Sequence, residues 1–258
     1  MLDLAIRAAR EAGQYLKENV GRARAVETKK GEERNLVSEI DKGSEARIIS
    51  LIKSHYPGHD VLAEESGGAV ASGTYRWIID PLDGTTNFLH GVPIFCVSIG
   101  VEYNGEIVAG VVYDPNFDDL FTAERGSGAF LNGQRLAVSS TGEMIRALLV
   151  TGFPYDIAQN PHHAVEHFNN FLMAARGIRR LGSAALDLCY VAAGRFDGFW
   201  EVHLQPWDMA AGMLLVEEAG GRTTDFTGAP ARIHGKQIVA SNGQIHDAML
   251  EVLGRALG

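Results

Sequence analysis

Cysteine is nearly missing from this chain. There are two in 258 residues, Cys96 and Cys189, each set in an apolar run, IFCVSIG and LDLCYVA. Two such thiols cannot build a disulfide framework and read as buried free cysteines. The compartment expected from them is a reducing one, the cytoplasm. Long apolar runs are missing too. No stretch approaches the about 18 residues of a membrane-spanning helix, so no membrane association is expected. The opening MLDLAIRAAREAGQYL interrupts its apolar positions with charges and is not read as a signal peptide. Repeats, low-complexity tracts and Pro- or Ser-rich linkers are lacking as well. Positive charge is in the minority, with a formal net charge of -9. Such a chain repels a phosphate backbone, and nucleic acid is not expected as a partner. The same sign poses a difficulty for any phosphate ligand, one that only cations would remove.

Hydrophobic residues make up 46% of the chain, ample for a full core. A single domain over 1–258 is expected. A soft internal boundary near residue 145 would separate an N-terminal α+β half from a C-terminal α/β half. Leu2, Ile6, Ala9, Gly13, Leu16 and Val20 form one helical stripe. After the polar stretch ETKKGEERN, Ser38 or Asp41 can cap a second helix that turns Ile48, Leu51 and Ile52 inward, and Pro57-Gly58 ends it. Residues 61–65 and 76–80 read as short strands around a Gly-rich loop. The runs 95–103, 106–114 and 119–124 read as an antiparallel meander, with Asn104-Gly105 the strongest hairpin signal and Asn132-Gly133 another turn. Beyond 145 strands and helices alternate. Strands are expected at 147–151, 178–181, 197–202, 222–225 and 237–241. Helices are expected at 161–175, 184–193, 208–219 and 244–256. His163 and His167 have helical spacing and read as surface residues.

Four carboxylates carry the chemistry: Glu64, Asp80, Asp83 and Asp208. The apolar strand WII delivers Asp80, and Pro81 then stops strand pairing. The turn lets Asp80 and Asp83 converge, with the Leu82 carbonyl facing the same point. Gly84 permits an unusual backbone or a close ligand approach. Thr85, Thr86 and Asn87 open a short helix whose free N–H groups favour an anion. Hard oxygen ligands therefore sit beside a phosphate nest. They suit Mg²⁺, Mn²⁺ or Ca²⁺, and no Cys/His cluster competes. Two or more divalent ions would reverse the local charge and lower the pKa of a bound water.

Together these fragments resemble the inositol monophosphatase family over nearly the whole chain. The matching segments are WIIDPLDGTTNFLH at 77–90 and WDMAAGMLLVEEAGG at 207–221, with Glu64-Glu65-Ser66, GSAALDL from Gly182, and DGFWE ending at Glu201. The resemblance implies an α/β fold, an α+β layered sandwich of alternating helices and mixed sheets, and a homodimer. It implies two or three Mg²⁺ ions. Glu64, Asp80 and the Leu82 carbonyl would hold the first ion, and Asp80, Asp83 and Asp208 the second. Glu64 would hold a third through water. Glu64 and Thr85, with Asp83 as the shared ligand, would be the catalytic residues that orient and activate the attacking water. The N–H groups of Gly84 and Thr85 would hold phosphate. Asp83, Ser183, Ala184, Glu201 and Asp208 would meet the substrate. Asp41 and Lys30 match family residues just outside the metal ligands. Capping is the plain alternative for Asp41, Ser183 and Asp208, and a solvated loop charge for Lys30.

The expected reaction is Mg²⁺-dependent hydrolysis of a small polyol or sugar phosphate, with inositol 1-phosphate the leading substrate and direct attack by water. Lithium sensitivity goes with the resemblance. Rival substrates on the same scaffold are fructose 1,6-bisphosphate and 3′-phosphoadenosine 5′-phosphate. A rival of another class is a regulatory binding protein with residual or coexisting activity.

Overall fold

The computed structural model of the chain describes residues 1–22, 26–29, 32–68 and 74–255. Helix α1 (Leu2–Asn19) is followed by a pair of strands, β1 (Val26–Lys29) and β2 (Glu32–Ser38), and by α2 (Glu39–His55). The pair is antiparallel and overlaps the stretch read from sequence as merely polar. Seven strands then form one sheet. They are β3 (Asp60–Ala63), β4 (Tyr75–Asp83), β5 (Cys96–Tyr103), β6 (Glu106–Asp114), β7 (Asp119–Glu124), β8 (Gly128–Leu131) and β9 (Gln134–Arg135), in that spatial order. From β4 to β9 every neighbour is antiparallel, and β3 joins the edge in parallel. Asn104-Gly105 and Asn132-Gly133 make the two tight turns, each with both φ values positive, as the twist of a two-residue hairpin demands.

The second sheet has β10 (Leu148–Thr151), β11 (Gly177–Arg179), β12 (Gly198–Val202), β13 (Arg222–Thr224) and β14 (Gln237–Ser241), ordered β11-β10-β12-β14-β13. Its first three strands are parallel and the rest antiparallel. The remaining helices are α3 (Thr85–Leu89), α4 (Ala164–Ala174), α5 (Ala184–Ala192), α6 (Pro206–Glu218) and α7 (His246–Leu253).

Strand alternation sorts the core into three slabs. On one face of the large sheet Trp77, Ile79, Val97 and Ile99 pack with Ala5, Ala9 and Leu16 of α1 and Ile48 and Ile52 of α2. On the other face Ile78, Val112 and Phe121 meet α5 and α6, which in turn meet Val150, Phe199 and Ile238 of the small sheet. Leu149, Trp200 and Val239 on that sheet's far side pack with Phe171 of α4 and Met249 of α7. Helix and sheet layers therefore alternate five deep, as the family resemblance implied. Each fully buried Ile, Val or Leu stabilises this stack by roughly 1.5–3 kcal/mol. One detail of α1 differs from the sequence reading. Its buried stripe runs Leu4, Ala5, Ala8, Ala9, Ala12, Gly13 and Leu16, leaving Leu2 and Ile6 at the margin. Glycine stands at 13 because Tyr113 lies against it, where a methyl group would overlap its ring.

Helix α6 lies unusually close to the large sheet. A methyl on Gly100 of β5 would stand 2.8 Å from the Ala210 Cβ, and one on Gly110 of β6 3.0 Å from the Ala211 backbone. This glycine-on-alanine approach fixes the depth of the helix, and with it the position of Asp208.

Candidate active site

A cavity of about 570 Å³ opens where β4, β12 and the starts of α3, α5 and α6 meet. Its lining includes Glu64, Asp80, Leu82, Asp83, Gly84, Thr85, Ser183, Ala184, Glu201 and Asp208. All of these were singled out in the sequence. Lys30 lies outside the described residues.

The β4 backbone explains how Asp80 and Asp83 reach one point. Residues three apart on a regular strand face opposite sides of the sheet. Here Asp80 pairs with Ser98 and Asp83 with Cys96, so one extra residue is inserted in β4. That bulge, at Pro81-Leu82, turns both acids to the cavity. It is pinned on each side: the Ser44 hydroxyl donates to the Pro81 carbonyl at 2.8 Å, and the Leu82 N–H donates to Asp80 Oδ1 at 3.0 Å. The strand thus runs to Asp83, beyond the end at Asp80 read from sequence. Gly84 follows with φ +95°, and a side chain there would also press on the Ile94 carbonyl, so the turn into α3 requires glycine. The first N–H groups of α3 have no intrahelical acceptor and remain for an anion.

Two of the acids occupy the same place in different helices. In α2, Ser38 is the N-cap and Asp41 sits three residues in, its Oδ2 accepting from Ser38 N–H at 2.8 Å and from the Ser38 hydroxyl at 2.5 Å. Asp41 Oδ1 accepts the Thr85 hydroxyl at 2.9 Å. Asp41 therefore caps its helix and holds Thr85 at once. In α6 the helix starts at Pro206, two residues earlier than read, so Asp208 is not the cap. It lies in the first turn and accepts from Gln205 N–H at 2.6 Å. Ser183 caps α5, and its hydroxyl donates to Asp83 Oδ2 at 2.6 Å, beside Ala185 N–H at 2.8 Å. Capping and a place in the cavity wall are therefore compatible for Ser183. Its proton belongs to Asp83.

Several contributors escaped the sequence reading. Glu45 is buried and accepts from the N–H groups of Glu65 and Ser66 at 2.8 and 2.9 Å, which positions the loop carrying Glu64. Its signal was present: Asp41, Ser44 and Glu45 continue the buried stripe of Ile48 and Ile52. Asp187, an acid inside the apolar run LDLCYVA, is fully buried and lines the cavity. Gly152, Tyr155 and Asp156 come from the loop after β10, Arg180 from the segment before α5, and His203 from the loop after β12. Arg180 is the sole Lys or Arg among the described lining residues. His167, read as a surface residue, is buried against Phe226.

The electrostatics are those of crowded acids. Burial pushes Asp80 well above the usual carboxylate range, and Glu64, Asp83 and Asp208 add to it. Asp208 is raised by burial and then by Asp83 and Glu64. Burial raises Asp83 to about 6 against the pull of its Ser183 and Ala185 hydrogen bonds. Burial raises Glu201 to about 8, with Arg180 opposing. The Tyr155 hydroxyl is raised by burial and by the same acids. Such a set is stable only when protonated or joined by cations. Hard carboxylate oxygens suit Mg²⁺. Among the described residues no three ligating side chains are already closed round a single point. The acids instead line a shared space, which suits an ion that retains several of its waters.

The pH dependence of stability follows. Carboxyls raised on folding bind protons more tightly in the native state, so the favourable contribution is complete below their unfolded pKa values and declines as pH rises through the folded ones. Without divalent ions, Tm should fall by on the order of 5–10 °C between about pH 5 and pH 8. Millimolar Mg²⁺ should restore most of it at pH 8. Thermal unfolding with EDTA and with Mg²⁺ tests this, and a Tm independent of both would refute the crowded-acid account.

An acid-lined cavity for divalent ions, set beside an anion-binding turn, defines a metal-dependent phosphoric monoester hydrolase. The family model "Inositol monophosphatase family" matches residues 1–257, and the chain belongs to that family. It is 45% identical to the Nus factor SuhB of Pseudomonas aeruginosa, covering 98% of this chain and 95% of that protein. It is 42% identical to the inositol-1-monophosphatase of Mesorhizobium japonicum, with 100% and 97% covered. The crystal structure of the extragenic suppressor protein suhB from Bartonella henselae superimposes with a TM-score of 0.92 at 43% identity, with 98% of each chain covered. An IMPase/NADP phosphatase complexed with Mg²⁺ and phosphate superimposes with a TM-score of 0.84 at 25% identity, covering 96% of this chain and 93% of that one. No helix among the described residues is long and apolar enough to cross a membrane.

Proposed function

We propose that this enzyme hydrolyses a small polyol or sugar phosphate, inositol 1-phosphate first among them, to the alcohol and inorganic phosphate, using Mg²⁺. The observation that carries the reading is the placement of Glu201. It lines the cavity with Asp80, Asp83 and Asp208, yet comes from β12 in the other sheet. Phosphate at the Gly84–Thr85 turn leaves that opposite wall for the alcohol, and a carboxyl there can engage two neighbouring hydroxyls. Glu64, Asp80, Asp83, Asp208 and the Leu82 carbonyl are the residues that would hold the metal. When bound, divalent ions supply Lewis acidity, offset the charge of the ester and lower the pKa of water.

The chain's own part is positioning and proton movement. The Thr85 hydroxyl has one proton and two acceptors in reach, Asp41 Oδ1 at 2.9 Å and the Leu82 carbonyl at 3.1 Å. The carboxylate is the stronger acceptor, so the proton points to Asp41 and an oxygen lone pair remains to receive a proton from water. Glu64 and Thr85 together orient that water toward phosphorus. No protein nucleophile is required, and both cysteines are fully buried.

Phosphate release from about ten small esters, with and without Mg²⁺, tests the reading. The panel includes inositol 1-phosphate, fructose 1,6-bisphosphate and 3′-phosphoadenosine 5′-phosphate. Release should require Mg²⁺ and be fastest on inositol 1-phosphate. Preference for the nucleotide, or full activity in EDTA, would overturn it. A sharper test is Glu201→Gln. A hydrogen bond to a charged group is worth about 1.5–3 kcal/mol, so kcat/KM on inositol 1-phosphate relative to an aryl phosphate should fall roughly 10- to 150-fold. An equal loss on both substrates would assign Glu201 to support of the metal site instead.

The exposed Leu172 and Met173 on α4 support the pairing of two copies that the family resemblance implies. A regulatory role beside catalysis is the second reading, favoured by the name Nus factor that the P. aeruginosa relative carries. A variant without turnover separates the two.

A further inference from the structure

Strand β10 ends at Thr151, which pairs in parallel with Trp200 of β12. The Thr151 hydroxyl donates to the Trp200 carbonyl at 2.6 Å and locks the two strand ends together. The residues that follow in the chain are Gly152, just past β10, and Glu201 of β12, and both line the catalytic cavity. The Glu201 side chain lies back across Gly152. A Cβ built on Gly152 would overlap both carboxyl oxygens and the Cδ of Glu201. The backbone itself does not call for glycine, because Gly152 is not among the positive-φ positions of the chain. The three heavy atoms nearest to that Cβ are all from the Glu201 carboxyl, so a side chain at 152 would press first on that group and displace it.

We propose that Gly152 is a specificity-determining position for the alcohol half of the substrate. Its missing side chain lets the Glu201 carboxyl rest against the strand end, recessed from the phosphate turn. The recess sets the depth of the wall that receives the hydroxyls. A side chain at 152 drives the carboxyl out of the recess and into the volume that the polyol would fill. Gly152 touches no reacting atom and acts through Glu201, so it is a positioning residue. The inference rests on the polyol-phosphate reading of the site.

The experiment is a double-mutant cycle with Gly152→Ala and Glu201→Ala, read as kcat and KM on inositol 1-phosphate and on an aryl phosphate. Gly152→Ala should raise KM for inositol 1-phosphate and lower its kcat/KM relative to the aryl ester by about tenfold or more, the scale on which one methyl group discriminates in a pocket. In the Glu201→Ala background the same change should add less than about twofold, because the group it displaces is gone. Additive losses, or equal losses on both esters, overturn the role given to Gly152. If Glu201→Ala itself fails to discriminate between the esters, the polyol reading falls, a result distinct from failure of Gly152→Ala alone. Should Gly152→Ala not accumulate as folded protein, Gly152→Ala/Glu201→Asp supplies the second readout. The shorter acid relieves the overlap, so this pair should fold and match Glu201→Asp within about twofold in substrate ratio, and a pair that falls well below Glu201→Asp overturns the proposal.

Discussion

Asp83→Asn should reduce turnover by on the order of 10³-fold or more while leaving the protein folded. The wild-type carboxylate has two tasks. Its Oδ2 anchors the start of α5 by accepting from Ser183 and from Ala185 N–H. The carboxyl as a whole lines the cavity and is raised to about 6 by burial, so its charge is held against desolvation. Asparagine keeps one carbonyl oxygen for the α5 anchor and loses the charge. Losing a group that only orients a metal ligand already reduces affinity or activity about 10- to 100-fold, and if Asp83 holds the metal as proposed, losing its charge exceeds that. Stability should move the other way. With one buried charge fewer, the metal-free variant should melt no lower than wild type at pH 8, and its gain in Tm on adding Mg²⁺ should shrink. Phosphate release and thermal unfolding with and without Mg²⁺ measure both. Turnover within tenfold of wild type would remove Asp83 from the machinery.

Thr85→Ala should separate proton handling from metal binding. The hydroxyl connects the cavity to Asp41, and Asp41 stays fixed in the variant because Ser38 still donates twice to its other oxygen. Neither the α2 cap nor the four cavity acids change. Loss of positioned proton transfer is worth about 10²–10⁴-fold, and that is the expected fall in kcat. The Mg²⁺-dependent rise in Tm should be kept, in contrast to Asp83→Asn. A Thr85→Ala enzyme with wild-type kcat would mean that water is oriented without this hydroxyl.

Local pattern made much of the chain readable. The strands β5, β6 and β7 begin and end within a residue of their apolar runs, because Asn104-Gly105 separates the first two and alternation fixes their faces. The helices of the second half were placed by the same apolar periodicity. Misreadings arose where neighbours outvote local pattern. The α1 stripe is centred on small residues, with Gly13 fitted against the Tyr113 ring. The start of α6 precedes Asp208 because Pro206 fits the first helical position, a signal that was present and passed over. The β1–β2 pair has too little apolar pattern to be seen. For the site, the acids of Glu64, Asp80, Asp83 and Asp208 were legible from motif chemistry. Gly152, Arg180 and Asp187 were not; the relation of Gly152 to Glu201, for one, depends on β10 lying beside β12, about fifty residues away in sequence.

The cavity wall draws on both sheets: Asp80 and Asp83 from the large one, Glu201 from the small one, with α5 and α6 wedged between. An ion or ester that touches both walls therefore acts as a cross-link between layers formed by distant parts of the chain. Its binding free energy is distributed over the opening of the whole stack rather than confined to a loop. Amides of β4 and of β12 should then exchange with solvent in concert when the ligand is present, so that the two layers report one event instead of two.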